Sequence, residues 1–288
     1  MNRLTIIIVN YNSTDYLERC LKSILKETRA DDYRIAVIDN ASDQQDFSRL
    51  ERLSDRVQFI LNSRNVGFAA ACNQGIRAFP ASYYLFLNPD CVIEESAIDQ
   101  TLEFLASRST AGIVGCRVEN PDGSLQPACR RRIPHPSSAF FRLSGLSRLF
   151  PRSRRVSAYN MTYENSDQIH EVEAVSGSFL MFRREVLDDI QGMDEDFFLY
   201  GEDLDFCYRA FLKGWKIFYY PHARVVHYKG KSSARARGVS DYHFYKSMEI
   251  FYRKHFAGQQ NRLQQWLVFS GIKLLYAARL LRTRLVGH

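Results

Sequence analysis

Short apolar runs alternate with stretches that place an apolar residue at every third or fourth position. Leu4-Thr5-Ile6-Ile7-Ile8-Val9 is apolar at nearly every position, the pattern of a strand covered on both faces. Leu17, Cys20, Leu21, Ile24 and Leu25 then fall on one helical face, and Asn12, Ser13 or Thr14 can cap its start. The same reading predicts strands over 35–38, 57–61, 83–87 and 111–117, with helices over 69–75 and about 94–107. Strand, helix, strand in this rhythm predicts right-handed βαβ units and a mostly parallel, Rossmann-like α/β sheet flanked by helices.

The pattern changes after residue 118. Pro121, Pro127, Pro134, Pro136 and Pro151 punctuate an arginine-rich segment, which reads as a long, partly mobile connection. Strand character returns over 172–182, broken at Ser176-Gly177-Ser178, and a helix is expected from Arg184. An acidic stretch, 194–205, leads into a helix that is apolar at Leu204, Phe206, Ala210 and Phe211. Short strands over 216–220 and 224–227 follow, then helices over 239–256 and 261–284. The expected organisation is one α/β unit over 1–230, comprising a ligand-binding half (1–118), the Pro/Arg segment (119–170) and a catalytic half (171–230). A basic helical extension, 231–288, completes the chain.

Charge sharpens that division. The chain carries +7 overall, but residues 229–288 hold twelve Lys/Arg against two acids, and 129–155 hold eight arginines and no acid. The remainder is strongly acidic. An acidic body with two basic segments does not match a nucleic-acid binder, whose charge gathers on one folded face. Leu263, Trp266, Leu267, Phe269, Ile272, Leu274 and Leu281 are interspersed with Arg262, Lys273, Arg279, Arg282 and Arg284. That mixture suits an amphipathic helix lying on an anionic membrane surface, or one packed on the body or in a homodimer interface. The apolar run near residue 4 is too short to span a bilayer. The six cysteines include no C-x-x-C pair, so free thiols and a cytoplasmic setting are expected.

In open α/β sheets ligands bind beyond the carboxyl ends of the strands. Here those ends are Asn10 to Asn12, Asp39 to Ser42, Asn62 to Gly67 and Asn88 to Asp90. Turn chemistry accounts for any one of these polar clusters, but four in succession point to a ligand. Neither G-x-G-x-x-G nor a P-loop occurs, which disfavours the usual dinucleotide and NTPase sites. Asp90 at a sheet edge can hold a divalent cation that takes phosphate oxygens as its other ligands. His227, ending a later strand, is the best second ligand, and an imidazole suits Mn²⁺ better than Mg²⁺. Glu202 and Asp203 open a helix after Gly201. Asp205 has a structural partner in Arg209 four residues on, which leaves Asp203 as the candidate general base, with Glu202 beside it or on acceptor hydroxyls.

In order, Val9-Asn10-Tyr11-Asn12-Ser13, Val37-Ile38-Asp39-Asn40-Ala41-Ser42, Asn65-Val66-Gly67-Phe68 with Asn73-Gln74-Gly75, Leu87-Asn88-Pro89-Asp90, Gly177 to Met181, 197–205 and Val226-His227 resemble one family. It is that of the family 2 inverting glycosyltransferases with the GT-A fold, in particular its bacterial rhamnosyltransferase-like branch. Asn88 and Asn40 stand where many members carry an acid. The resemblance implies a nucleoside diphosphate sugar donor, with dTDP-rhamnose favoured. It implies Asp39 on the base or ribose, and Asn10, Asn12, Asn65, Gly67 and Asn88 around the nucleotide. Asp90 and His227 would bind Mn²⁺ or Mg²⁺, and Asp203 would be the base. The acceptor would be a glycan or a polyprenyl-diphosphate-linked sugar, met at the cytoplasmic face of the inner membrane. A UDP-hexose-dependent enzyme and a non-catalytic sugar-nucleotide-binding protein are the alternatives.

Overall fold

The computed structural model describes residues 2–134, 149–150, 152–228 and 237–286. Strand β1 (Asn2–Asn10), helix α1 (Thr14–Glu27) and strand β2 (Tyr33–Asp39) form where the apolar pattern predicts them. The short helix α2 (Ser48–Glu51), strand β3 (Val57–Leu61), helix α3 (Phe68–Ala78) and strand β4 (Ala81–Leu87) follow. The four strands lie in the order β3-β2-β1-β4, all parallel. The central pair is buried on both faces, as its continuous apolar runs require: Ile6, Ile7, Ile8, Ala36, Val37 and Ile38 are all within the core.

The second half extends the same sheet. Strand β5 (Cys91–Glu94) precedes helix α4 (Ala97–Ala106) and strand β6 (Ala111–Glu119). After the arginine-rich segment come β7 (His170–Val172), β8 (Phe179–Arg183), α5 (Arg184–Ile190), α6 (Glu202–Leu212) and β9 (Lys216–His227). Strand β8 inserts antiparallel between β4 and β6, and β9 runs parallel to β6 while pairing antiparallel with β5 and β7. The result is a nine-stranded sheet, parallel in its first half and mixed in its second. All six cysteines are free and buried.

Besides the short helix α2, which the sequence reading did not place, three features depart from the sequence expectation. Strand β5 was not expected, because four residues are too few to stand apart from the helix that follows. The two strands expected over 216–220 and 224–227 are one, because β6 continues past a register shift: Cys116 pairs with Tyr220, and Arg117 with Arg224. The bulge absorbs Pro221 to Ala223, which is how a proline is accommodated inside a sheet. The arginine-rich segment is not uniformly loose. Its start is ordered, with Arg130 donating to the carbonyls of Glu164 and Asn165 and Arg131 buried, while residues 135–148 and 151 lie outside the described residues.

Two helices close the described chain, α7 (Arg237–His255) and α8 (Arg262–Val286). Helix α7 is tied to α6 through Asp205, which is fully buried and accepts from Arg209 Nε at 2.6 Å, as the four-residue spacing predicts, and from His255 Nε2 at 2.7 Å. His243 of α7 also stacks on Phe198 at 4.6 Å between ring centroids. Helix α8 packs on α7 through Val268, Phe269 and Ile272. Leu263, Trp266, Leu267, Leu274 and Leu281 on its other side are more than half exposed. Among the described residues no helix is long and apolar enough to cross a membrane.

Candidate active site

The turn after β4 and the end of β9 meet at the carboxyl edge of the sheet. Asn88 N–H donates to Ser178 O, and Tyr228 N–H to Asp90 O, so the Asn88-Pro89-Asp90 turn is bracketed by both neighbours. Asp90 Oδ1 lies 3.0 Å from His227 Nε2, and Asn88 Nδ2 lies 3.4 Å from the same nitrogen. The histidine's other edge is fixed by Gln126, whose amide nitrogen donates to Asn120 Oδ1 and His227 O. That orients Gln126 Oε1, 3.0 Å away, as acceptor for His227 Nδ1–H. With Nδ1–H so held, Nε2 is the ring atom that faces the carboxylate. Two electron-pair donors 3.0 Å apart call for a proton or a cation between them, and an amide oxygen on Nδ1–H is the usual support of a metal-binding histidine. Cys91 Sγ is close to both groups, but it bonds to Ser178 O, and burial raises its pKa well above the ordinary thiol range. Asp90, Cys91 and His227 stand together as the one metal-type cluster among the described residues.

Asp203 stands at the start of α6, facing the strap before β8. Its Oδ2 accepts from Gly177 N–H at 2.9 Å and from Arg131 Nη2 at 2.7 Å, and its Oδ1 from Leu204 N–H at 2.7 Å. Gly177 suits the close approach, since a Cβ there would stand 3.3 Å from the Asp203 Cβ. Arg131 reaches this position because its backbone pairs with Ala174 in an antiparallel bridge. Burial opposes the guanidinium's charge, yet the Asp203 carboxylate and the groups around it hold its pKa above the ordinary value. Glu202 is buried beside them with Oε2 unpartnered. Desolvation, then the neighbouring Asp203 charge, push its pKa up to about 8. Near neutrality the cluster is therefore one carboxylate, one guanidinium and one protonated carboxyl.

A protonated Glu202 has a consequence for stability. The folded protein holds a proton that the unfolded chain, with its ordinary value of 4.5, releases. The stability this group contributes is full below pH 4.5 and is lost as pH rises through about 8. Glu202→Gln is neutral at every pH, so the variant's Tm should gain on wild type steadily across that window. Parallel Tm profiles for the two proteins would show that Glu202 is ionised throughout.

The remaining predicted residues form a connected network at the ends of β1, β2 and β3. Asp39 is fully buried, accepting from Asn10 Nδ2 (2.8 Å), Ser42 N–H (2.9 Å), Ser42 Oγ (2.6 Å) and Gln45 Nε2 (3.1 Å). Of these donors only Gln45 is exposed. Asn12 joins the two loops, its N–H donating to Ser42 Oγ and its Oδ1 accepting from Asp43 N–H. Asn65 Oδ1 accepts from Gly67 N–H. Gly67 has φ +88°, and a Cβ on it would lie 2.8 Å from Phe198 O, so no other residue fits without moving the acidic loop.

Asn88, Glu202, Asp203 and His227 line one cavity of about 550 Å³, together with Arg131 and the Ser176-Gly177-Ser178 strap. Sequence reasoning missed Arg131 and Gln126. Arg131 was hidden among eight arginines, and Gln126 lies in a connection with no local motif.

Comparison with known proteins places the chain. The model of the glycosyltransferase-like family 2 matches residues 2–238. An N-acetylglucosaminyl-diphospho-decaprenol L-rhamnosyltransferase of Mycobacterium tuberculosis is 26% identical, over 94% of this chain and 91% of its own. The rhamnosyltransferase WbbL of Escherichia coli is 28% identical, over 77% and 82%. The fold matches that of a mannosyltransferase from Pyrobaculum calidifontis, solved with GDP-Man and Mn²⁺, at a TM-score of 0.61 and 16% identity, covering 100% of this chain and 76% of that one. With sheet order, structural likeness and the family match in accord, this chain belongs to the glycosyltransferase-like family 2 and has the GT-A fold.

Proposed function

We propose that this enzyme transfers L-rhamnose from dTDP-rhamnose, with inversion, to a lipid-linked or glycan acceptor in cell-surface polysaccharide assembly. The observation that carries this is the cavity that Asp203 and His227 line together, with Asp90 3.0 Å behind the histidine. The named activities of the two bacterial relatives support the choice of sugar and, in the mycobacterial case, of a diphosphate-linked lipid acceptor. Residues 1–230 would be the transferase unit, and 231–288 would hold it at the cytoplasmic face of the inner membrane.

Asp203 accepts the proton of the acceptor hydroxyl as its oxygen bonds to the anomeric carbon. The bond from that carbon to the diphosphate breaks in the same step, and the electron pair leaves with the nucleoside diphosphate. A single displacement inverts the centre and needs no enzyme nucleophile. Asp90 and His227 would hold a divalent cation, which when bound supplies charge neutralisation for the departing diphosphate. The network of Asn10, Asn12, Asp39, Asn65, Gly67 and Asn88 would cradle the nucleotide.

Calorimetric titration with dTDP and UDP, each with Mn²⁺, Mg²⁺ or chelator, tests this reading. The expected result is cation-dependent binding with dTDP preferred, lost in Asp90→Ala. Preference for UDP would move the donor to a UDP-hexose. Binding that persists unchanged in chelator would remove the cation from the site.

A further inference from the structure

The cavity that contains Asp203 does not stop at the catalytic groups. It continues between α7 and α8, where Met248 and Phe251 from one helix face Val268, Gly271, Ile272 and Leu275 from the other. One end is therefore polar and the other apolar. At the polar end, two buried atoms lack partners, Arg131 Nε and Glu202 Oε2. At the apolar end, Leu267 belongs both to the cavity wall and to the exposed ridge of Leu263, Trp266, Leu274 and Leu281 on α8. That helix carries five basic residues and no acid.

We propose that the apolar limb receives the first isoprenoid units of a polyprenyl-diphosphate-linked acceptor, entering from the bilayer beside α8 while its diphosphate-sugar head reaches Arg131 and Asp203. This rests on the glycosyl-transfer reading above and adds where the lipid lies. The occupant follows from the shape and polarity of the cavity. A water-soluble glycan gains nothing from a wall of aliphatic and aromatic side chains, and its hydroxyls would be desolvated there without donors. A second copy of the chain could cover the exposed ridge, but it would not fill a passage leading inward between two helices to the catalytic carboxylate. An amphiphile with a polar head and a slender apolar tail matches both ends. An apolar ridge flanked by Arg262, Lys273 and Arg282 would place the opening at the level of anionic headgroups.

Gly271 gives a clean test. A Cβ there meets nothing within 4 Å, so Gly271→Leu starts into open space on the cavity wall and improves helix propensity. Binding of methyl diphosphate, which has no isoprenoid unit, and of a long-chain polyprenyl diphosphate to the full-length protein is compared by competition in matched detergent micelles. Wild type should prefer the long chain by at least about tenfold, the effect of burying about two methylene groups. Gly271→Leu should abolish that preference, and Met248→Trp, which fills the same space from α7, should do likewise. Gly258→Leu, also in open space but outside the cavity, should retain it. No preference in wild type, or a preference surviving both filled variants at normal Tm, overturns the proposal. The function is read separately. Sugar transfer to a short-chain acceptor without any chain-length preference would leave the enzyme reading intact and remove the lipid limb. Tight long-chain binding without sugar transfer would do the reverse.

Discussion

Asp203→Asn is expected to lower kcat by roughly 10²–10⁴-fold, the usual contribution of a positioned general base, with donor affinity unchanged. The acceptor hydroxyl is too weak an acid to attack unaided. Glu202, the carboxyl beside it, carries its own proton near neutrality because burial and Asp203 push its pKa to about 8. The variant should nevertheless stay folded. Removing the Asp203 charge removes the second-largest cause of Glu202's upward shift, while the attraction of Arg131 remains. Glu202 then ionises more readily and the guanidinium keeps a counter-charge. Single-turnover transfer and nucleotide titration on the same preparation check this. Wild-type turnover in Asp203→Asn would remove Asp203 from the chemistry, and loss of nucleotide binding would make its role structural.

That compensation was not legible in the sequence, although much around it was. The strands β1 and β2 announce themselves because a strand buried on both faces is apolar at nearly every position, and a run such as Ile6-Ile7-Ile8 leaves no polar face for a surface helix. Asp90 and His227 could be paired in advance because each stands at a strand end, where an α/β sheet gathers its ligands. Other features are written in contacts that no local pattern records. Gln126 meets His227 across 101 positions and Arg131 meets Asp203 across 72. The composition that made 129–155 look like a solvated basic connection also concealed its two buried arginines, Arg130 and Arg131. Strand β9 read as two pieces because Pro221 interrupts the apolar pattern, and only its pairing with β6 reveals the bulge that carries the strand past the proline.

Arg131→Met is expected to cost about 3–5 kcal/mol of stability, the effect of removing one partner from a buried ion pair, and to lower Tm by roughly 6–15 °C for a chain of this size. The guanidinium and the Asp203 carboxylate are both largely buried, at 9% and 14% side-chain exposure, so water does little to replace what the substitution removes. Methionine fills the space but leaves Asp203 charged, with Gly177 N–H and its own helix start as its remaining donors. Adding Asp203→Asn should restore much of the lost stability, because two neutral side chains leave no uncompensated charge behind. Activity should not return with it, since the base is gone. Thermal unfolding of the two single variants and the double variant, read as a cycle, separates the two roles of the pair. A double variant as unstable as Arg131→Met alone would mean that Arg131 holds the fold through Val175 O and its backbone bridge to Ala174. Recovery of stability without recovery of turnover would identify the arginine as the group that keeps a charged base in a buried site.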